Sequence, residues 1–355
     1  MLGLYIHIPF CKNICYYCDF PKLINQRPET IKIYLDKLIS DINKLKDQTF
    51  DSLYIGGGTP NYLDDCDLER LLSEISKLHF TETAEKTIEC NFELITKKQV
   101  KLFKKYGINR LSIGVQTFNQ DIGKSLNRIS DYEVLKQKVI LLNQYGLNNY
   151  NFDLIYALPN QTLDIVKDDL EKAMSLSPKH ISYYSLIYED KCVLHHLKYP
   201  KADEELELAM FDYIKEYLLS YGFKRYEISN FALEGYESKH NLLYWSMDEY
   251  IGLGLGASSL YNNIRITNSL KMKDYLNDLN IMKDEVEKEE YFIVGLRKNE
   301  GVSLSYFKDK YQIDPIKEYG LQRYIDSGLL IIDGEYLKFS EKGFDLSNQV
   351  LVNFV

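Results

Sequence analysis

Six strand-like runs at a regular beat constrain this chain more than any other feature. They are LYIHIP (from Leu4), SLYIGG (Ser52–Gly57), KTIECN (Lys86–Asn91), RLSIGV (Arg110–Val115), NYNFDLIY (Asn149–Tyr156) and HISYYSL (His180–Leu186). Charge-speckled helical segments such as Ile31–Lys46 and Thr162–Ser175 lie between them. Strands joined through a helix run parallel, whereas antiparallel neighbours need only a tight turn. The pattern predicts an α/β body on a parallel sheet, and an open barrel or a doubly wound sheet would both satisfy it.

From about Glu285 the texture changes. Helical stretches at 287–297, 303–311 and 315–326 precede LLIIDGEYLKFS, where Asp333-Gly334 between two apolar runs signals a hairpin. A small α+β, winged-helix-like unit is expected there. A chain of 355 residues exceeds one typical domain, and the expected division is 1–190, an extension over 191–284, and 285–355.

The formal net charge is 43 − 52 = −9, with no basic block, which argues against nucleic acid as the ligand. No apolar run approaches the ~20 residues that span a bilayer, and the N-terminus lacks the ordered regions of a secretory leader. A cytosolic location is expected, with transient membrane association left open. The 30 tyrosines read mostly as packing residues.

Six cysteines fall at 11, 15, 18, 66, 90 and 192, and only the first three cluster, as CKNICYYC directly after the first strand. Loops beyond the C-terminal ends of parallel strands are where barrels carry chemistry. Structural zinc would want four ligands, usually as two separated pairs, and Cys66, Cys90 and Cys192 are isolated. Three thiolates on a cubane of four irons leave one iron open to a small molecule.

Further polar positions fall in register with the later strands. GGGTP (Gly56–Pro60) ends the second; glycines let backbone approach a ligand closely. Glu89 ends the third, Gln116 follows the fourth, Arg128 lies twelve residues on, and Asp153 is in the fifth. Polar groups gathered at one end of successive strands point to a ligand. Two other motifs fail on context: GLGLG (Gly252–Gly256) lies too late for a dinucleotide loop and receives a structural role, and GKS (Gly123–Ser125) has Phe118 where a phosphate loop needs glycine.

The stretch with cysteines at CxxxCxxC and Tyr17 before the third resembles the signature of the radical S-adenosylmethionine (SAM) superfamily. That resemblance implies a partial (β/α)6 TIM-like barrel. It further implies a 4Fe-4S cluster on Cys11, Cys15 and Cys18, and SAM held by Gly57, Gly58, Thr59, Glu89, Gln116 and Asp153, with Arg128 on its carboxylate and Tyr5 as a further contact. YIHIPFC, GGGTP, GVQTFN, DLIYALPNQT, YEISNFA and HNLLYW narrow it to the branch containing oxygen-independent coproporphyrinogen III dehydrogenase and the HemW haem chaperones.

Two residues separate those siblings. The dehydrogenase has a fourth cysteine where this chain has Phe20, and HemW proteins carry an HNxxYW motif whose histidine, here His240, is implicated in haem binding. The resemblance thus implies a haem carrier with haem-accepting partner proteins and an electron donor, and the alternative is radical oxidative decarboxylation in porphyrin biosynthesis. Without the resemblance, His240 reads as a packed histidine beside Trp245. Two departures are expected to matter locally: Phe92 stands where the family usually has proline, and Ser258 where relatives often carry histidine.

Overall fold

The structure, a computed structural model, describes all residues except Lys191 and Lys198. The expected strands form as β1 (Leu2–Ile8), β2 (Thr49–Gly57), β3 (His79–Asn91), β4 (Arg110–Gln116), β5 (Tyr150–Tyr156) and β6 (His180–Ser185). They pair in chain order, every pair parallel. A doubly wound sheet reverses its order at a switch point. This one does not, so the helices wind one way and the sheet curls into an open barrel.

Each strand feeds a helix: α1 (Pro28–Asn43), α2 (Asp65–Ile75), α3 (Lys97–Lys105), α4 (Tyr132–Gln144), α5 (Leu163–Ser175) and α6 (Glu204–Ser220). Side chains of Asp64, Thr96, Asp131, Thr162 and Asp203 accept from backbone N–H groups of the first turns of α2 to α6. Such caps satisfy donors a helix start otherwise leaves open and fix where each loop ends.

The strands alternate, apart from irregularities at Phe50–Ser52 and Gly114–Gln116. One set, including Leu4, Ile6, Ile8, Leu53, Ile55, Ile88, Leu111, Ile113, Phe152, Leu154 and Ile181, is buried in one hydrophobic core with the helices. The intervening residues, among them Tyr54, Glu89, Ser112, Asn151, Asp153, His180 and Ser182, hydrogen-bond across the opposite face. The barrel therefore has a polar lumen, where ordinary barrels stack branched apolar side chains.

Beyond the expected six, a seventh parallel strand, β7 (Glu249–Leu253), pairs with the free side of β1, Leu2 opposite Glu249. It runs into the GLGLG segment, and a Cβ on Gly252 would stand 2.0 Å from the Ser258 carbonyl oxygen, so the close return of the chain needs glycine there. Three antiparallel strands, β8 (Ser258–Tyr261), β9 (Ile264–Thr267) and β10 (Met282–Glu285), continue that edge. Ser258, on β8, pairs its hydroxyl with Thr267 at 2.9 Å. GKS lies in a short helix, Gln120–Ser125.

One more helix, α7 (Lys239–Trp245), lies across the lower end of the lumen. Glu85 near the start of the barrel part of β3 accepts from the Lys239 and His240 N–H groups and the Ser238 hydroxyl. The C-terminal part has its own core around Phe292, Phe307, Leu321, Leu337 and Phe354. There α8 (Glu290–Gly295), α9 (Leu304–Tyr311), α10 (Pro315–Glu318) and α11 (Gln322–Asp326) accompany a small antiparallel sheet of β11 (Val302–Ser303), β12 (Leu330–Asp333) and β13 (Tyr336–Phe339). The Asp333-Gly334 hairpin joins β12 to β13, as its sequence predicts. Arg297 stacks on Trp245 at 5.4 Å and Lys215 pairs with Asp345 at 3.0 Å, so this part rests against the barrel.

Candidate functional site

A cavity of about 480 Å3 opens at the C-terminal ends of the strands. It brings together Cys11, Cys15, Cys18, Gly57, Gly58, Thr59, Glu89, Gln116, Arg128 and Asp153. Tyr5 and His240 are not in its lining.

The cysteine loop is tied down from outside. Tyr16 N–H donates to the Leu126 carbonyl at 3.1 Å, Asn127 Nδ2 to the Ile14 carbonyl at 2.8 Å, and Lys22 Nζ to the Cys18 carbonyl at 2.6 Å. All three thiols are free. Burial pushes Cys11 up to about 11 and raises Cys18, so without metal these are protonated thiols, and a metal must displace protons to bind them.

The glycine turn nests against that loop. Gly58 N–H donates to the Ile8 carbonyl and Thr59 N–H to the Phe10 carbonyl, each at 2.9 Å. A Cβ on Gly58 would lie 2.8 Å from Cys11 Sγ and 2.8 Å from the Pro9 carbonyl carbon. Asn61 braces the turn from behind, exchanging two 3.0 Å bonds with the backbone of Asn91. Phe92, fully buried, starts a single 3-10 turn just beyond.

Glu89 and Asp153 face the cavity as half-buried carboxyls. Glu89 accepts from the Tyr54 hydroxyl at 2.8 Å and from Gly57 N–H at 3.0 Å. Burial, and then the charge of Asp153, pushes it up to about 7. Asp153 accepts from Ser112 Oγ at 2.9 Å and Asn151 Nδ2 at 2.7 Å, and burial raises it also. Between the two carboxyls β4, which pairs with both of their strands, bulges at its end: Gln116 has φ 65°, in the left-handed region. Such a costly backbone is typical of ligand sites. Gln116 Oε1 and Arg128 Nε are buried with no partner.

The two remaining predicted residues lie deeper. Tyr5 pairs its hydroxyl with His7 Nδ1 at 2.9 Å and stacks on Tyr54, ring centres 6.3 Å apart. His240 is fully buried on α7, with Nδ1 2.8 Å from Ser52 Oγ and Nε2 2.8 Å from the Tyr244 hydroxyl. Burial pulls its imidazole down to about 3 and keeps it neutral. Of the other histidines, His7 and His180 are buried, and His79, His195 and His196 are exposed.

Sequence reasoning missed Tyr54, Asn91, Ser112, Gly114 and Tyr184, which also line the cavity. For Asn91, Ser112 and Gly114 the signal was present, since each shares the inward phase of a strand already marked by Glu89 or Gln116; Tyr54 and Tyr184 had no such in-phase neighbour.

The donor set suits the groups that the sequence implies. Three free cysteines on one wall, beside a glycine that leaves them room, match three thiolates on a cubane. No trio of His, Cys, Asp and Glu among the described residues converges on a single ion, and none should, because each thiolate of a cubane serves a different iron. Partnerless Arg128 Nε and Gln116 Oε1 beside the half-buried carboxyls match a zwitterionic, hydroxyl-bearing ligand.

The fold and this site define a radical SAM protein. The sequence pattern of the Radical SAM superfamily matches residues 5–173, and that of the HemN C-terminal domain matches 284–346. The structure resembles that of coproporphyrinogen III oxidase (HemN) from Escherichia coli, with a TM-score of 0.85 and 22% identity over 99% of this chain and 89% of that one. The chain is 37% identical to the heme chaperone HemW of Lactococcus lactis over 99% of its length and 96% of the relative's. It is 33% identical to HemW of Bacillus subtilis over 100% and 99%. It belongs to the HemW family.

Proposed function

We propose that this chain is a cytosolic haem chaperone that carries haem to acceptor proteins and uses a SAM-bound 4Fe-4S cluster as a companion site. The observation that carries this reading is the end-to-end similarity to proteins named heme chaperone HemW. The likeness to coproporphyrinogen III oxidase is one of fold alone. Where the dehydrogenase has a fourth cysteine, Phe20 stands 62% exposed at the cavity mouth. No helix among the described residues is long and apolar enough to cross a membrane.

When bound, the cluster would supply SAM with a binding iron and a source of one electron. The chain's own residues do the rest. Cys11, Cys15 and Cys18 are the proposed cluster ligands. Arg128 would pair with the SAM carboxylate, Gly57, Gly58 and Thr59 would cradle its charged end, and Glu89, Gln116 and Asp153 would hold its hydroxyls and base, with Tyr5 supporting from below. His240 is the proposed haem contact. Both its nitrogens are engaged, so ligation requires the Tyr244 hydroxyl to release Nε2, the nitrogen a neutral imidazole offers to iron.

Haem added anaerobically to the reconstituted protein should give a Soret band that His240→Ala diminishes. Assays with SAM, reductant and coproporphyrinogen III should yield no protoporphyrinogen. Steady product would return the chain to the enzymes. Unchanged haem binding in the His240 variant would move the ligand elsewhere, first to the exposed His195 and His196.

A further inference from the structure

Tyr54 touches both halves of the molecule. Its hydroxyl donates to Glu89 Oε1 at 2.8 Å on the cavity floor, and its ring stacks on His240, with centres 5.3 Å apart and planes at 25°. Glu89 uses its other oxygen for Gly57 N–H in the glycine turn. The four residues form one line: Gly57, Glu89, Tyr54, His240. His240 is fully buried, the other three are half-buried where they line the cavity, and Tyr54 is also stacked by Tyr5.

We infer that Tyr54 is a positioning residue that makes ligand binding in the upper cavity and iron ligation by His240 oppose one another. The inference rests on the haem-chaperone reading above. It follows from what His240 must do. Its ring is boxed between Tyr54, Tyr244 and Ser52, with nothing but protein against either nitrogen. To reach a haem iron, the ring must leave this box. The stacked Tyr54 ring then loses the surface that sets its tilt, and its hydroxyl loses its line to Glu89. A ligand that holds Glu89 and Gly57 in place holds Tyr54, and through it keeps His240 packed. Coupling of two sites through a shared element is reciprocal, so each ligand weakens the other by the same factor.

The test is the haem dissociation constant of the full-length reconstituted chain, read from the Soret band, with and without saturating SAM. SAM should weaken haem binding ~5-fold or more, the lower range of ordinary allosteric coupling. Tyr54→Phe keeps the ring stack, removes the bond to Glu89, and should bring the factor close to one. Ser52→Ala alters His240 on the side away from Glu89 and should keep it. Should Tyr54→Phe fail to assemble its cluster, Glu89→Gln interrogates the same bond from the other side and should also lower the factor. An unchanged factor in Tyr54→Phe, or equal haem affinity with and without SAM in the parent chain, overturns the inference while leaving the chaperone reading standing. Absence of any haem binding by the parent chain overturns the chaperone reading itself, and the inference with it.

Discussion

Arg128 Nη2 donates to the carbonyl of Gly114 at 2.6 Å, and a Cβ on Gly114 would stand 2.9 Å from that nitrogen. The guanidinium is thus held by one corner while its Nε remains buried and without a partner.

Two variants follow from this contact. Losing one partner of a desolvated charge pair costs ~2 to 5 kcal/mol, so Arg128→Ala should weaken SAM binding more than about tenfold. Gly114→Ala should weaken it too, by displacing an arginine it leaves chemically intact. Calorimetry on cluster-loaded protein measures both, and parent-like affinity in the two variants would detach Arg128 from the SAM carboxylate.

The cluster wall gives a second prediction. Reconstituted protein should carry about four irons and four sulfides per chain, as this cluster type requires, and Cys15→Ser should lose them. Gly58→Ala should also lower iron content although it removes no ligand, since its methyl would press on Cys11 Sγ and Pro9. Stoichiometric zinc in the parent, or full iron in Cys15→Ser, would refute the assignment.

Glu89 predicts a pH dependence of stability. Its carboxyl lies at about 7 in the folded chain, above the ~4.3 of an unfolded glutamate. Between those values the folded state holds the extra proton, so this group's contribution to stability falls as pH rises from about 4 to 7 and is level above. The shift corresponds to about 4 kcal/mol at ~1.4 kcal/mol per unit. Urea unfolding of cluster-free protein should show Glu89→Gln gaining on the parent across this window. A constant difference between the two at pH 5 and pH 8 would mean that Glu89 ionises normally.

The six barrel strands were legible because a parallel strand carries an apolar face toward its helix, and Leu53-Ile55 or Leu111-Ile113 advertise it locally. The cysteines and seven further cavity residues, Gly57, Gly58, Thr59, Glu89, Gln116, Arg128 and Asp153, were legible because chemistry collects at strand ends. β7 was not, for its partner β1 lies some 247 positions away by the pairing of Leu2 with Glu249, and no local pattern records so distant a neighbour. Tyr54 was overlooked because one tyrosine among 30 looks like packing. Packing is half its role, and only the placement of Glu89 discloses the other half. His240 shows the reverse: a motif marks it as a ligand, while the fold stores it with both nitrogens engaged.

The pairing of β1 with β7 also sets a timetable for synthesis. A ribosome adding ~5 to 20 residues per second delivers Glu249 roughly 10 to 50 seconds after Leu2. Throughout that interval one edge of β1 has no neighbour, and Ser52 and Glu85 await the helix that will cover them. The nascent barrel is an open sheet with a polar inner face, exposed to edge-to-edge association until its far sequence emerges. Chains ended between residues 192 and 249 should therefore aggregate more readily than the full chain, even though they contain every cysteine and every residue of the cavity.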